Sequence, residues 1–217
     1  MNYKVIDMEK YYRKDVYRHF TQDCKCSVSM TARIDVTSLV EASKRTGTKF
    51  YVNFLYILSK VLNSREDYRM AYLWQTDEVV CYDKINPTHY VFHEDTELCT
   101  PVYSEYDPDY WKFYEAVTKD IEEAKARGGY NLDAANHPNW FDASYISWLS
   151  YDSLNVELPD GYVYLAPIIN WGRYREENGR LMMPVTVRLN HAAADGYLVA
   201  NVYRLLEKEI GAFSSEN

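Results

Sequence analysis

The chain has 217 residues, 47% hydrophobic and 16% aromatic, including 22 tyrosines, which is ample for a core and too apolar for a disordered chain. A formal charge of −8, from 24 basic against 32 acidic residues, argues against nucleic acid as the main partner. No apolar run is long enough to span a bilayer, and the polar start MNYKVIDMEKYYRKD lacks the apolar stretch of a signal peptide.

Residues 8–20, MEKYYRKDVYRHF, read as an amphipathic helix carrying aromatic and basic side chains. Residues 26–36 alternate small or polar with apolar, as a half-buried strand does. Ser38 followed by Glu41 makes a capping box for a short helix ending near Gly47. FYVNFLYILSKVLN, Phe50 to Asn63, is apolar almost all round and predicts a helix buried inside the domain. Residues 78–103 read as strands and turns, broken at Asn86-Pro87. Asp107-Pro108-Asp109 opens a long helix that stops at Gly128-Gly129. After a polar loop through Asn136 and Pro138 come three strand-like runs, ASYISWLS, YVYLAPIINWGRY and RLMMPVTVRLNH. The last two face each other across the turn composition REENG. A final helix runs from about Tyr197 to Ile210. Strands and helices interleave without a breakpoint, which predicts one α/β domain over residues 1–217.

The four cysteines, Cys24, Cys26, Cys81 and Cys99, have no zinc-like spacing, so free thiols in a reduced, cytoplasmic protein are the economical reading. His89 and His93 are four apart but flank the strand-like YVF, and no third ligand converges in sequence; no metal site is expected. His19 and His137 sit in polar surroundings and read as surface residues. His191 differs from these. It ends an alternating strand and precedes a turn and an apolar helix, the position at which ligand clefts open in α/β sheets. A histidine merely satisfied at a strand end is the plainer reading. Likewise Asp195-Gly196 serves equally as a helix cap and turn.

The stretch NHAAADGYLVANVYRLLEKEI resembles the C-terminal signature of the type A chloramphenicol acetyltransferases, His-His-x-x-x-Asp-Gly followed by a helix. YYRKDVYRHF, TARIDVTSL, KFYVNFLYILSKVLN, EDYRMAY, YVFHEDTE, YISWL and LAPIINWGRY follow the family's order at near-family spacing, so the resemblance covers nearly the whole chain. It implies a two-layer sandwich with a mixed β-sheet, the CoA-dependent acyltransferase fold. It further implies an acetyl-CoA-dependent O-acetyltransferase, with chloramphenicol as the first acceptor to test and antibiotic resistance as the consequence. His191 matches the general base that takes the proton of the acceptor hydroxyl. An imidazole is partly unprotonated near neutral pH, which suits that role.

YISWLS aligns with the family's Asn-Ile-Ser-x-Leu-Pro segment, making Ser147 the hydroxyl donor to the tetrahedral oxyanion; Ser144 and Ser150 lie close enough for the assignment to slip. Asp195 matches an aspartate that pairs with an arginine of the first helix, here Arg13, rather than a charge relay to His191, the competing idea. By the same resemblance Phe20, Cys26, Val28, Tyr145 and Tyr164 line the acceptor pocket, and Asn170 stands where a threonine holds a water. Asn190 replaces the first histidine of the signature. Family members are homotrimers with sites across subunit interfaces. Acetylation of another small hydroxyl or thiol stays open, as does a catalytically silent small-molecule binder. The lipoate-linked acyltransferase cores of 2-oxo acid dehydrogenases share the His-x-x-x-Asp-Gly signature, but they imply an attached lipoyl domain and flexible linker, for which the chain shows no sequence.

Overall fold

A computed structural model describes residues 2–132, 136–158 and 162–216. Strand β1 (Tyr3–Val5) leads into turns and a short helix α1 (Lys14–Arg18), followed by a π-helical turn at His19–Asp23. Then come β2 (Ser27–Asp35), α2 (Thr37–Thr46), α3 (Phe50–Asn63), β3 (Met70–Leu73), β4 (Glu78–Tyr82), β5 (Asn86–His93), β6 (Leu98–Tyr103) and α4 (Tyr110–Arg127). The chain closes with β7 (Trp140–Ile146), β8 (Ile168–Gly172), β9 (Arg175–Glu177), β10 (Arg180–Asn190) and α5 (Gly196–Glu216). The main sheet has seven strands in the order β2-β10-β8-β7-β5-β6, with β9 paired to the start of β10. It is mixed, because β7 runs parallel to both β5 and β8 while the other pairs are antiparallel. A small antiparallel sheet, β1-β4-β3, stands beside it.

The core lies between one face of the main sheet and the helices. Met183, Val185, Val187 and Leu189 alternate along β10 into one cluster with Leu55, Leu58 and Leu62 of α3 and Leu198, Val202 and Leu206 of α5. Each such side chain, fully buried, stabilises the fold by about 2 kcal/mol. The intervening β10 residues Thr186, Arg188 and Asn190 therefore point to the opposite face. The irregular chain after β7 lies on that face: Tyr151 Oη donates to the Asn170 carbonyl at 2.9 Å and accepts from Thr186 Oγ1 at 3.2 Å.

Several local expectations change in the folded chain. The first helix is only Lys14–Arg18, because residues 8–13 are held as turns by tertiary contacts. Lys10 N donates to Asp7 O, Tyr11 Oη reaches Met70 Sδ and Tyr12 Oη reaches Asp67. The Ser38–Glu41 capping box is not used: α2 begins at Thr37, whose amide and hydroxyl both donate to Asp35 Oδ1 at 2.9 and 2.6 Å. Asn86-Pro87 begins β5 rather than breaking it, since proline is tolerated at the first positions of a strand. The hairpin turn narrows to Asn178-Gly179, both at positive φ, and Arg175–Glu177 before it is strand. Only Ile168–Gly172 of the run from Tyr162 to Tyr174 pairs with β10 as β8. Asp109 caps α4, accepting from Trp111 N and Lys112 N. All four cysteines are free.

His89 and His93 sit on β5, where His93 Nε2 meets Thr100 Oγ1 at 2.8 Å. His89 is fully buried between Tyr51 Oη (3.1 Å from Nδ1) and Ser104 Oγ (3.0 Å from Nε2), and the Ser104 hydroxyl donates onward to Asp120 at 2.6 Å. That chain suits a neutral imidazole that accepts at Nδ1 and donates from Nε2. Burial pushes the His89 pKa down to about 3. The unfolded chain therefore binds a proton that the folded chain refuses between about pH 6.5 and 3, so stability falls as pH drops through that window. The limiting slope is about 1.4 kcal/mol per pH unit. Urea unfolding at pH 7 and pH 5 is expected to show a smaller acid loss in His89→Gln than in the parent; equal losses would remove His89 from the account.

Candidate active site

The turn after β10 is built by its own short side chains. Ala192 N donates to Asn190 Oδ1 at 3.0 Å, and Ala193 N and Ala194 N donate to Asn190 O at 3.1 and 3.0 Å. Asn190 thus closes the corner with its side chain as well as its backbone. The three alanines are buried, Ala192 and Ala193 against a cluster that includes Met70, Val79, Tyr17 and Phe20. Larger side chains would have to displace that packing.

His191 stands on this corner, and its amide continues the β2–β10 ladder to Cys26 O at 3.0 Å. Phe20, from the π-helical turn, stacks on the imidazole with centroids 3.7 Å apart and rings 8° from parallel. Nδ1 is buried and has no hydrogen-bond partner among the described residues.

Asp195 is engaged elsewhere. Its Oδ1 accepts from Leu198 N at 3.1 Å, capping α5, and its Oδ2 accepts from Arg13 Nη1 at 3.0 Å. Burial alone would raise the Asp195 pKa, but the Leu198 amide and the Arg13 guanidinium outweigh it and hold the carboxyl below the usual range. Neither oxygen bonds His191. Asp195→Asn keeps a capping oxygen and loses the charge pair; with the carboxylate 41% exposed, solvent screening limits the expected cost to about 1 kcal/mol. Asp195→Ala loses the cap too, adding about 1 kcal/mol, as denaturant midpoints would read.

Of the remaining residues singled out in the sequence, Ser147, Tyr145, Asn170 and Val28 do not gather at His191. Ser147 follows β7 by one residue and is exposed. Strand register sets Ile146 opposite Gly172 and Trp171 opposite Val185, which places Ser147 level with Met183. From there to His191 the sheet runs on for roughly 25 Å, at about 3.3 Å per residue. Within one chain, the two groups occupy opposite ends of the sheet.

The loop carrying Ser147 is tightly seated. Leu149 O accepts from Arg173 N at 2.9 Å, and a Cβ on Gly172 would lie 2.7 Å from that carbonyl, so only glycine fits there. Ser144 is half-buried opposite Asn170, and Ser150 Oγ is buried without a partner among the described residues. Tyr145 packs at the Ser147 end, stacked on Trp171 at 5.8 Å. Asn170 lies midway on the polar face, buried, with its Oδ1 unpartnered among the described residues. Val28 pairs with Leu189 and packs into the main core.

Phe20 and Cys26 do meet at the His191 end, where they line a cavity of about 350 Å³ with Arg188 and Asn190. Tyr164 lies near Arg188 and Asp142, and burial, then Asp142, pushes its phenol pKa up. Arg188 escapes a sequence reading built on motifs. The one available signal is an arginine in the outward register of VTVRLN, next to the signature.

The family model for chloramphenicol acetyltransferase matches residues 1–207. The chain belongs to the chloramphenicol acetyltransferase family. A chloramphenicol acetyltransferase of Campylobacter coli is 32% identical over 92% of this chain and 94% of its own length, and that of Vibrio anguillarum is 31% identical over 91% and 89%. Among solved structures, a chloramphenicol acetyltransferase superposes with a TM-score of 0.85 at 19% identity, covering 95% of this chain and 99% of that one. The truncated catalytic core of the 2-oxoacid dehydrogenase complex from Thermoplasma acidophilum superposes at 0.66 and 17% identity, covering 96% and 98%. The mixed α/β architecture is thus that of the chloramphenicol acetyltransferases and CoA-acyltransferase cores.

Proposed function

We propose that the whole chain acts as one acetyltransferase domain, moving the acetyl group of acetyl-CoA to a hydroxyl of a small acceptor, with chloramphenicol the acceptor its family points to. The single observation that carries this reading is His191, held on the Asn190–Asp195 corner with Nδ1 buried and its ring stacked on Phe20, which lines the neighbouring cavity together with Asn190. In the reaction Nε2 takes the hydroxyl proton as the oxygen attacks the thioester carbonyl. The tetrahedral oxyanion accepts a hydrogen bond from the Ser147 hydroxyl, then collapses and expels the CoA thiolate, which takes the proton back from His191. No metal enters these steps. Asp195 and Arg13 fix the corner instead of relaying charge, because the carboxylate is already committed to Leu198 N and Arg13.

The separation of Ser147 from His191 supports an active site shared between copies of the chain. A cyclic assembly brings the end of one sheet to the opposite end of its neighbour's, and a homotrimer is the assembly we propose. We place the reaction in the cytoplasm, where acetyl-CoA is available, and modification of the antibiotic there would confer resistance. Release of CoA thiol on adding chloramphenicol tests the reading. Chloramphenicol-dependent release supports it; release with another small alcohol or thiol alone moves the acceptor, and no release with any acceptor leaves a binding protein.

A further inference from the structure

The cavity beside His191 contains a charge that the acetyl-transfer steps do not use. Arg188 is only 6% exposed, yet it lines that cavity, and its Nη1 has no hydrogen-bond partner among the described residues. Among those residues the titratable neighbour acting on it is Tyr164, a phenol that burial keeps neutral. The carboxylate at the cavity rim, Glu157, is exposed and takes a hydrogen bond from Asn155. Arginine stays protonated in proteins, and a buried charge is costly unless something pairs with it. Its planar fork matches a carboxylate with two parallel hydrogen bonds.

We infer that Arg188 is a specificity-determining residue that binds a carboxylate, or an isosteric planar anion, carried by the acceptor itself. The inference rests on reading this cavity as the acceptor pocket. His191 follows Arg188 by three residues, about 10 Å of strand, and Phe20 joins the two by lining the cavity and stacking on the imidazole. The anion is therefore held within one small molecule's length of the base. The phosphates of CoA are separated from its thioester by the whole pantetheine arm, so they do not reach Arg188 while the thioester is at His191. The favoured acceptors are aromatic or apolar alcohols with a carboxylate on the far side of the ring from the hydroxyl, the ring lying against Phe20 and Val156.

The test compares 4-(2-hydroxyethyl)benzoate with its neutral isostere 4-(2-hydroxyethyl)benzamide, with binding read by titration calorimetry on the intact protein. The benzoate is expected to bind about 10- to 100-fold more tightly, the range for hydrogen bonds to a charged group. In Arg188→Gln the ratio falls to near one, and Arg188→Lys keeps part of the preference. Equal affinities in the parent protein would overturn the proposal without any variant, as would a preference that survives in Arg188→Gln. A change of oligomeric mass in Arg188→Gln, with no preference in the parent, would assign Arg188 to a contact between copies instead. Binding needs no turnover. Benzoate-selective binding without CoA thiol release from any acceptor upholds the anion site and sinks the transferase reading; chloramphenicol turnover with no benzoate preference does the reverse.

Discussion

Replacing His191 with alanine is expected to lower kcat for acetyl transfer by roughly 100- to 10,000-fold, the scale of a lost general base. The KM of the acceptor should move far less, because Phe20, Cys26 and Arg188 still line the cavity. The corner itself should survive, since the bonds that form it come from Asn190 and the alanine amides, and the His191 amide that reaches Cys26 is backbone. A fall in kcat of less than tenfold, in a variant with the parent's denaturant midpoint, would mean that another group takes the proton.

Replacing Ser147 with alanine is expected to cost about 100- to 1,000-fold in kcat, or about 3–4 kcal/mol of transition-state stabilisation, with little change in KM. The hydroxyl is exposed in the single chain and bonds no described residue, so its removal disturbs no packing. Ser144→Ala and Ser150→Ala separate the neighbouring hydroxyls. Ser144 lies within β7, and Ser150 Oγ is buried among protein atoms, where it cannot meet an oxyanion at the open end of the sheet. Both variants should keep kcat within a few-fold of the parent. A large loss in either, with Ser147→Ala active, would shift the oxyanion donor by three residues.

The sequence displayed the elements whose signals are local. Phe50–Asn63 is helical as its all-round apolar pattern requires, and ten of its residues are buried. Asp109 and Gly128 bound α4 through side-chain capping and positive φ, both properties of single residues. Strands β1 and β3, at three and four residues, are too short to show a period and form only because β4 lies between them. The first helix lost its leading turn to Tyr11 and Tyr12, whose partners are more than fifty residues away in sequence.

The site divided in the same way. His191, the alanine corner and the Arg13–Asp195 contact could be placed from the signature, because one turn carries most of them. The distance from Ser147 to His191 could not, because it follows from strand order and register. Val28 and Tyr145 show the same limit: a place in a motif does not say which face or end of a sheet a residue occupies. Arg188 needed the fold outright. Its importance comes from being buried with Nη1 unpartnered among the described residues, which no spacing reveals.

The most direct test of a site shared between copies mixes two crippled proteins. Purified His191→Ala and Ser147→Ala are unfolded together in equal amounts, refolded, and assayed for chloramphenicol-dependent release of CoA thiol. In any cyclic assembly with random mixing, about one quarter of the interfaces join an intact His191 to an intact Ser147. Activity should therefore return to about one quarter of the refolded parent, far above either variant alone. Mixed assemblies that stay as inactive as the separate variants would contradict the shared site.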